Sequence, residues 1–328
     1  MIRNSKILIT GGYGFIGGHL AEALSDEKLK NKLVIFDMNT GDQTTGSDLS
    51  LRLRANIEII KGSILDSFDL VELQNDYDYI IHAAGFLGID NVAEHQLLNM
   101  DINLQGTKNC LEVAKQQVNL KKFIQLSTSE IYGVESRYSS EVDDSVIKTT
   151  GKRWCYAASK LAAEYYLKAY VQEYDLAAAI VRPFNVYGPH RYGSNAMTAL
   201  ISKAINNENI NVSGNGEQLR SWCHIDDFCN GVIGLMETVT DPGDAFNIGD
   251  DRFCLSIYEL AKRIVGLTSS RSDIKILHNE TEDVLERKPD ISKAKNTLAY
   301  LPSRDLNQGI VEVADWLRES LAATARKD

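Results

Sequence analysis

Tyr156 and Lys160, four residues apart in Tyr156-Ala157-Ala158-Ser159-Lys160, share one face of any helix that contains both. A free phenol titrates near ~10, too high for a base at neutral pH. A nearby ammonium stabilises the phenolate, so the spacing points to a proton acceptor at Tyr156. On spacing alone, a Tyr and a Lys on a solvated helix would look the same, and a second cluster decides between the two. The chain opens with the apolar run Ile7-Leu8-Ile9-Thr10, then Gly11-Gly12-Tyr13-Gly14-Phe15-Ile16-Gly17. Strand, glycine cluster and helix start follow in the order that a dinucleotide pyrophosphate needs. The glycines let the backbone turn and approach the phosphates, and the helix end offers unpaired N–H groups. A second strand, Lys32 to Asp37, ends on a carboxylate twenty positions after Gly17. Such an acid accepts both ribose hydroxyls of NAD and repels the extra phosphate of NADP. NAD is therefore the expected cofactor, and Lys160 gains a second possible task on the nicotinamide ribose.

The elements that position these groups alternate. Strands are expected at Ile57–Lys61, Tyr79–Gly85, Lys122–Ser127 and Ala177–Arg182, the last stopped by Pro183. Helices are expected from about Leu97 to Val118 and from about Tyr156 to Tyr174. Alternation of this kind implies an α/β Rossmann fold, a doubly wound parallel sheet with right-handed crossovers. Thr10, Asp37, Ser63, Ala83 and Thr128 then sit at strand carboxyl ends and share one cleft. Beyond Pro183 the rhythm loosens. Helices are read at Met197–Asn206, Ile225–Met236, Ser256–Leu267 and Asn307–Ala323, with a hairpin-like turn at Gly214-Asn215-Gly216 and a returning strand at Ala245–Gly249. The expected division is a dinucleotide domain over 1–182, with contributions from about 225–250, and a smaller substrate domain over 183–328.

Bulk properties narrow the classes. A chain of 328 residues with 44% hydrophobic and 24% charged content has the composition of a soluble globular protein. A net charge of −10 argues against nucleic acid as the main partner, without barring an anionic substrate at a local basic patch. Five dispersed cysteines with no Cys-x-x-Cys pair read as reduced thiols, and the six histidines lack metal-ligand spacing, so no metal is expected. Met1 to Ser5 is too short and too polar for a signal peptide, and no apolar run is long enough for a membrane span, so a cytoplasmic protein is expected.

With these residues in hand, the chain resembles an extended short-chain dehydrogenase/reductase of the nucleotide-sugar epimerase/dehydratase family. The resemblance rests on the glycine cluster with Asp37, His82-Ala83-Ala84, Asn103 in Asp101 to Thr107, Ser127-Thr128, Tyr156 with Lys160, and Arg182-Pro183-Phe184-Asn185-Val186-Tyr187-Gly188-Pro189. It continues through Arg220 to Asp227, Asn247-Ile248-Gly249 and Arg287-Lys288-Pro289-Asp290. It implies a first step in which Tyr156 takes a proton from a sugar hydroxyl, usually at C4, and the C4 hydride passes to NAD, with Thr128 on the same oxygen. It places Gly11, Gly14, Phe15, Ile16, Gly17, Asp37, Ser63, Ile64, Ala83, Ala84, Asn103, Ser127, Tyr156, Lys160 and Pro183 around the cofactor. Ser129, Asn185, Arg191, Arg220 and Arg287 are implied on the nucleotide diphosphate sugar, the arginine fork matching phosphate oxygens in pairs. The helices around Leu97–Val118 and Tyr156–Tyr174 resemble the family's dimer interface, so a homodimer is implied.

The step after oxidation turns on Glu130. Members that only epimerise usually have a small or uncharged residue there, whereas Thr128-Ser129-Glu130 resembles uronate decarboxylases and certain 4,6-dehydratases. A carboxylate beside C5 and C6 of a 4-keto sugar can remove an acidified proton or manage proton traffic as CO2 leaves. Decarboxylation and dehydration are the leading readings, with 4-epimerisation and one-way C4 dehydrogenation as alternatives. Glu130 on a solvated turn, and Arg220 and Arg287 as ordinary surface arginines, are the bland ones. Two features depart from the family pattern. Gly62-Ser63-Ile64 stands where Gly-Asp-Ile is usual, which alters one adenine contact, and Val134 to Arg153 matches no subgroup. Arg153-Trp154 either lines the sugar pocket or packs against a dimer partner.

Overall fold

In a computed structural model the described residues are 2–39, 54–71, 73, 76–86, 88–134, 136–191, 195–277 and 284–324. Seven parallel strands form the central sheet, in the spatial order Asp244–Ile248, Ala178–Pro183, Lys122–Leu126, Tyr79–His82, Lys6–Thr10, Lys32–Asp37, Ile57–Lys61. The strands are apolar on both faces because helices cover both. Side chains alternate across the pleat. Ile7, Ile9, Leu33, Ile35, Ile81, Ile124, Val181 and Phe246 enter one core, closed by helices Phe15–Leu24 and Ile225–Glu237. Leu8, Val34, Phe36, Ile80, Phe123 and Ile180 enter the other, closed by helices Thr107–Lys115 and Trp154–Tyr174. Ile225–Glu237 thus returns to cover the first core and Asp244–Ile248 pairs beside Ala178–Pro183, so the second half of the chain completes the sheet of the first.

Successive strands run outward from Lys6–Thr10 in one direction and then, from Tyr79–His82 on, in the other. This reversal opens a crevice between the carboxyl ends of the two central strands, where ligands of such sheets bind. The Ala83 N–H donates to the Thr10 carbonyl at 3.0 Å, which closes the crevice floor.

A second assembly stands over those carboxyl ends. Four short strands lie in the order Cys254–Ser256, Leu219–Ser221, Glu286–Pro289, Tyr138–Ser139. A third core containing Met197, Ile201, Trp222, Leu260, Ile310 and Val313 supports it.

Two expectations need correction, and two further features are not marked in the sequence pattern. The helix expected over Leu97–Val118 is two helices, Gln96–Met100 and Thr107–Lys115, joined by a wider π-helical turn at Asp101–Gly106. The turn sets Asn103 inward, where its side chain serves the loop after Tyr79–His82; such turns concentrate at functional sites. Leu97 and Leu98, at the start of that expected helix, are 82% and 42% exposed. Gly214 to Gly216 does turn the chain, but Ile210–Val212 and Leu219–Ser221 belong to different sheets, so there is no hairpin. Tyr138–Ser139, inside the unassigned Val134–Arg153 segment, is a strand of the four-stranded sheet, pairing with Lys288 and Pro289.

One buried ion pair locks the long helix to the sheet. Glu164, wholly buried on Trp154–Tyr174, receives Arg182 at 2.7 and 3.0 Å and the Ser127 hydroxyl at 2.6 Å. Arg182 also donates to the Tyr132 hydroxyl at 2.9 Å, and Tyr132 in turn to Asn247 at 2.7 Å. Three strand ends and one helix meet at this network.

Candidate active site

The glycine cluster fits a dinucleotide. Gly11 has φ +72°, and a Cβ there would lie 2.6 Å from the Ala84 nitrogen. A side chain at Gly17 would collide with the Gly11 carbonyl oxygen, so the helix start could not sit this close to the turn. Helix Phe15–Leu24 begins at Gly14 with no side-chain cap, leaving its first N–H groups directed at the crevice. Ile16 lies in its first turn, half-buried. Asp37 closes the next strand, its carboxylate accepting the Tyr13 and Asn39 N–H groups at 2.9 Å each. Burial holds its carboxyl above the usual range, against the pull of those backbone bonds.

Around this cradle the other residues named from sequence take distinct positions. Ser63 is engaged in its own turn, its N–H on Asp69 at 2.7 Å and its hydroxyl accepting from Leu65 at 3.2 Å. Ile64 packs beneath Gly106. Ala83 and Ala84 follow the strand end, the Ala84 N–H reaching the Thr10 hydroxyl at 3.4 Å. Asn103 accepts the Phe86 N–H at 3.3 Å and donates to the Ser159 hydroxyl at 3.0 Å, tying the crevice loop to the long helix. Pro183 ends its strand opposite Ile248. Ser127 is spent on Glu164, so its hydroxyl is a structural group here.

Thr128, Tyr156 and Lys160 come together where strand Lys122–Leu126 ends. The Lys160 ammonium donates to the Leu126 carbonyl at 3.0 Å and borders Gly85, where a Cβ would stand 3.1 Å from Nζ. Burial lowers it to about 8, while Glu164, one turn along the helix, raises it. His82 bridges the hydroxyls of Thr10 and Thr107 at 2.8 and 3.0 Å, and burial with the Lys160 charge holds it down to about 3, a neutral ring.

Tyr156 departs from the sequence argument. Burial pushes it up to about 12; a hydrogen bond with Thr128 and the charges of Arg191 and Arg287 pull down, and Glu130 pushes up. Lys160 is not among its leading influences. Two arginines remote in sequence, Arg191 and Arg287, add cationic support to the phenolate.

Those arginines form the other half of the site. Arg220 and Arg287 are register partners on adjacent strands, so their side chains share one face of the small sheet. They are 6% and 4% exposed, which removes the surface-arginine reading. Arg220 donates to the Leu219 carbonyl at 2.8 Å. Arg191 lies over the Phe15 ring at 5.1 Å, bonds the Val186 carbonyl, and is lowered by burial to about 10. Asn185 takes φ +38° and donates to the Ser221 carbonyl at 2.9 Å, so its amide braces the small sheet.

Glu130 neither faces solvent alone nor caps a turn. It follows buried Ser129 in a short helical turn capped by Thr128, whose hydroxyl accepts the Glu130 N–H at 3.2 Å. One carboxylate oxygen pairs with Arg153 at 3.3 Å, and the other pairs with Arg287. Arg287 spends one terminal nitrogen on Glu130, and its Nε and other terminal nitrogen are buried with no hydrogen-bond partner among the described residues. A guanidinium presenting that edge is shaped for a carboxylate. Sequence reasoning put Arg287 on phosphate and left Arg153 undecided. The available signal was the Arg153 spacing, three residues before Tyr156 on the same helical face. Nothing local foretold Glu164.

Among the described residues no group of His, Cys, Asp and Glu side chains is arranged to hold a metal ion, and no helix is long and apolar enough to cross a membrane.

Comparison with known proteins agrees with this geometry. The model of the NAD dependent epimerase/dehydratase family matches residues 7–249. A UDP-N-acetyl-alpha-D-glucosaminuronate decarboxylase of Bacillus cytotoxicus is 34% identical over 96% of this chain and 98% of its own. UDP-glucuronic acid decarboxylase 3 of Arabidopsis thaliana is 31% identical over 94% and 87%. The crystal structure of UDP-glucuronic acid 4-epimerase from Bacillus cereus, in complex with UDP-glucuronic acid and NAD, superposes with a TM-score of 0.86 at 28% identity, over 96% of this chain and 99% of that one. A seven-stranded parallel Rossmann sheet, a glycine cradle ending at Asp37, and relatives of this kind identify the chain as an NAD-dependent, nucleotide-sugar-modifying enzyme of the NAD-dependent epimerase/dehydratase family.

Proposed function

We propose that this enzyme removes CO2 from a nucleotide-diphosphate uronate after oxidising the sugar at C4. The observation that carries the reading is Arg287, a buried guanidinium whose charge acts on Tyr156, with two nitrogens that lack a hydrogen-bond partner among the described residues and a third held by Glu130. In this reading Gly11, Gly14, Phe15, Ile16, Gly17 and Asp37 hold the cofactor, and Lys160 and Asn103 frame its nicotinamide end. Bound NAD supplies the hydride acceptor at C4 and returns the hydride at the end. Tyr156 takes the C4 hydroxyl proton, with Thr128 bonded to the same oxygen. Arg191 and Arg287 stabilise the resulting phenolate. Arg220 and Asn185 face the diphosphate.

Oxidation at C4 makes the C6 carboxylate β to a ketone. The C5–C6 bond then breaks to release CO2, its electron pair passing through C5 toward the C4 oxygen. Thr128 and Tyr156 hold that oxygen, and a proton is added at C5. No base is needed at C5 for this sequence. Dehydration does need one, and both carboxylate oxygens of Glu130 are engaged by arginines. That contrast favours decarboxylation, and the likeness to decarboxylases of uronate nucleotides supports it. Epimerisation is the second reading, favoured by the likeness to a uronate 4-epimerase. It requires the keto sugar to turn over in the site, which a carboxylate gripped by Arg287 opposes. One-way C4 dehydrogenation would leave the reduced cofactor unreturned.

We also infer a homodimer. Leu97, Leu98, Tyr165 and Tyr166 are exposed on helices Gln96–Met100 and Trp154–Tyr174, and a second copy of the same face is the partner that would cover them.

The function is tested by mass spectrometry of UDP-, GDP-, dTDP- and CDP-linked hexoses and uronates after incubation with enzyme. Loss of CO2 from a uronate is expected; loss of water, an isomer of unchanged mass, or net NADH release would each replace the proposal. Glu130→Gln removes a charge that raises Tyr156, so the acid limb of the pH profile for C4 oxidation should move to lower pH. An acid limb that stays in place would remove Glu130 from the electrostatics of the base. Sedimentation velocity should give twice the mass of one chain, and a monomer would contradict the paired-helix interface.

A further inference from the structure

His82 has no place in the proton and hydride transfers, yet it is the middle of a hydrogen-bond chain that crosses the crevice. The direction of each bond follows from the donors available. The Thr107 hydroxyl spends its one proton on the Asn103 carbonyl at 2.7 Å, so toward His82, at 3.0 Å, it accepts. Nε2 therefore carries the proton of this neutral ring. Nδ1 is a bare acceptor, and the Thr10 hydroxyl donates to it at 2.8 Å. With its own proton spent, Thr10 accepts the Ala84 N–H at 3.4 Å. The Cys110 thiol also meets Thr10, and burial keeps it protonated, so it offers no competing anion. Thr107 has a further task. An α-helix would send its N–H to the Asn103 carbonyl. Here that N–H goes to the Leu104 carbonyl, and the Thr107 hydroxyl takes its place on Asn103. The π-helical turn that aims Asn103 at Phe86 and Ser159 thus closes on a side chain, and His82 holds that side chain.

We infer that His82 is a positioning residue that holds the glycine cradle and the π-helical turn at one separation, and so sets how firmly NAD is held. One end of its bridge is Thr10, the residue before Gly11. The other end leads through Thr107 to Asn103, which is bonded to Ser159 on the helix that carries Tyr156 and Lys160. Gly11 lies so close to the Ala84 backbone that no Cβ fits between them, so a shift of either wall alters the cradle. The role concerns cofactor binding alone and stands whichever reaction follows C4 oxidation.

The test is release of bound NAD from the full-length holoenzyme, chased with excess isotope-labelled NAD and followed by mass spectrometry. His82→Phe keeps a flat ring and loses both bonds. Release should quicken about tenfold, the scale of a lost buried hydrogen bond. His82→Gln keeps a donor for Thr107 and should recover most of that loss. Thr107→Val should match His82→Phe, and the two together should release NAD no faster than either alone, as for members of one network. Ile80→Val, a buried change on the same strand outside the chain of bonds, should lower the unfolding midpoint and leave release unchanged. Unchanged release in His82→Phe, no recovery in His82→Gln, multiplied effects in the double variant, or equally fast release in Ile80→Val would overturn the inference. Nitrogen NMR of protein labelled with 15N-histidine gives a second reading at neutral pH. The His82 ring should be protonated at Nε2 alone, and a ring protonated at Nδ1 would also overturn the inference.

Discussion

A carboxylate with no access to water fixes where chemistry occurs in this fold. Glu164 sits inside the protein on the long helix and, among the described residues, is satisfied by Arg182 and Ser127, which belong to two neighbouring strand ends. Breaking such a pair on one side leaves an uncompensated buried charge, a penalty of about 3–5 kcal/mol. The helix therefore has one register against the sheet. Tyr156 and Lys160, two turns and one turn earlier on it, are delivered to the ends of the same strands. The same charge also favours the protonated form of Lys160, which burial alone would weaken. Structure and catalytic electrostatics thus share a single anion.

Around that anchor the local field runs against the global one. The chain has a net charge of −10, yet Arg153, Arg191, Arg220 and Arg287 converge on the crevice from the long helix, a loop and the small sheet. A cluster of this sign draws in a doubly charged diphosphate and a carboxylate together. Its arrangement then discriminates between reactions. Glu130 has one carboxylate oxygen on Arg153 and the other on Arg287, a placement suited to orienting Arg287 and unsuited to pulling a proton from carbon. The proposed decarboxylation follows from that placement, since the bond to be broken lies on the side of the sugar that Arg287 would hold.

What could be read from the sequence was what is encoded locally. The glycine spacing, the acid after the second strand and the alternation of apolar runs each arise within a few tens of residues, and the parallel sheet followed from them. The helix 97–118 failed because its periodicity carries no mark of the π-helical turn, which the contacts of Asn103 with Phe86 and Ser159 impose from outside. Tyr156 stands out by type and by its spacing from Lys160, but that spacing carries no sign of two further positive charges that act on it. They come from Arg191 and Arg287, the latter pairing with Glu130 across 157 residues, a separation no local pattern reports. Burial was equally silent: Arg220 and Arg287 look like any surface arginine until the small sheet is assembled over the crevice.

In the proposed reaction the C5–C6 bond breaks and C5 is then reprotonated, with no base acting on the C5 proton. Turnover of a nucleotide-linked uronate in heavy water, followed by NMR of the product, tests this directly. The expected product is a pentose that keeps its original C5 hydrogen and gains one solvent deuterium at C5, with CO2 released in equal amount. A six-carbon product with no deuterium at C5, or a deoxy-keto sugar formed with loss of water, would contradict it.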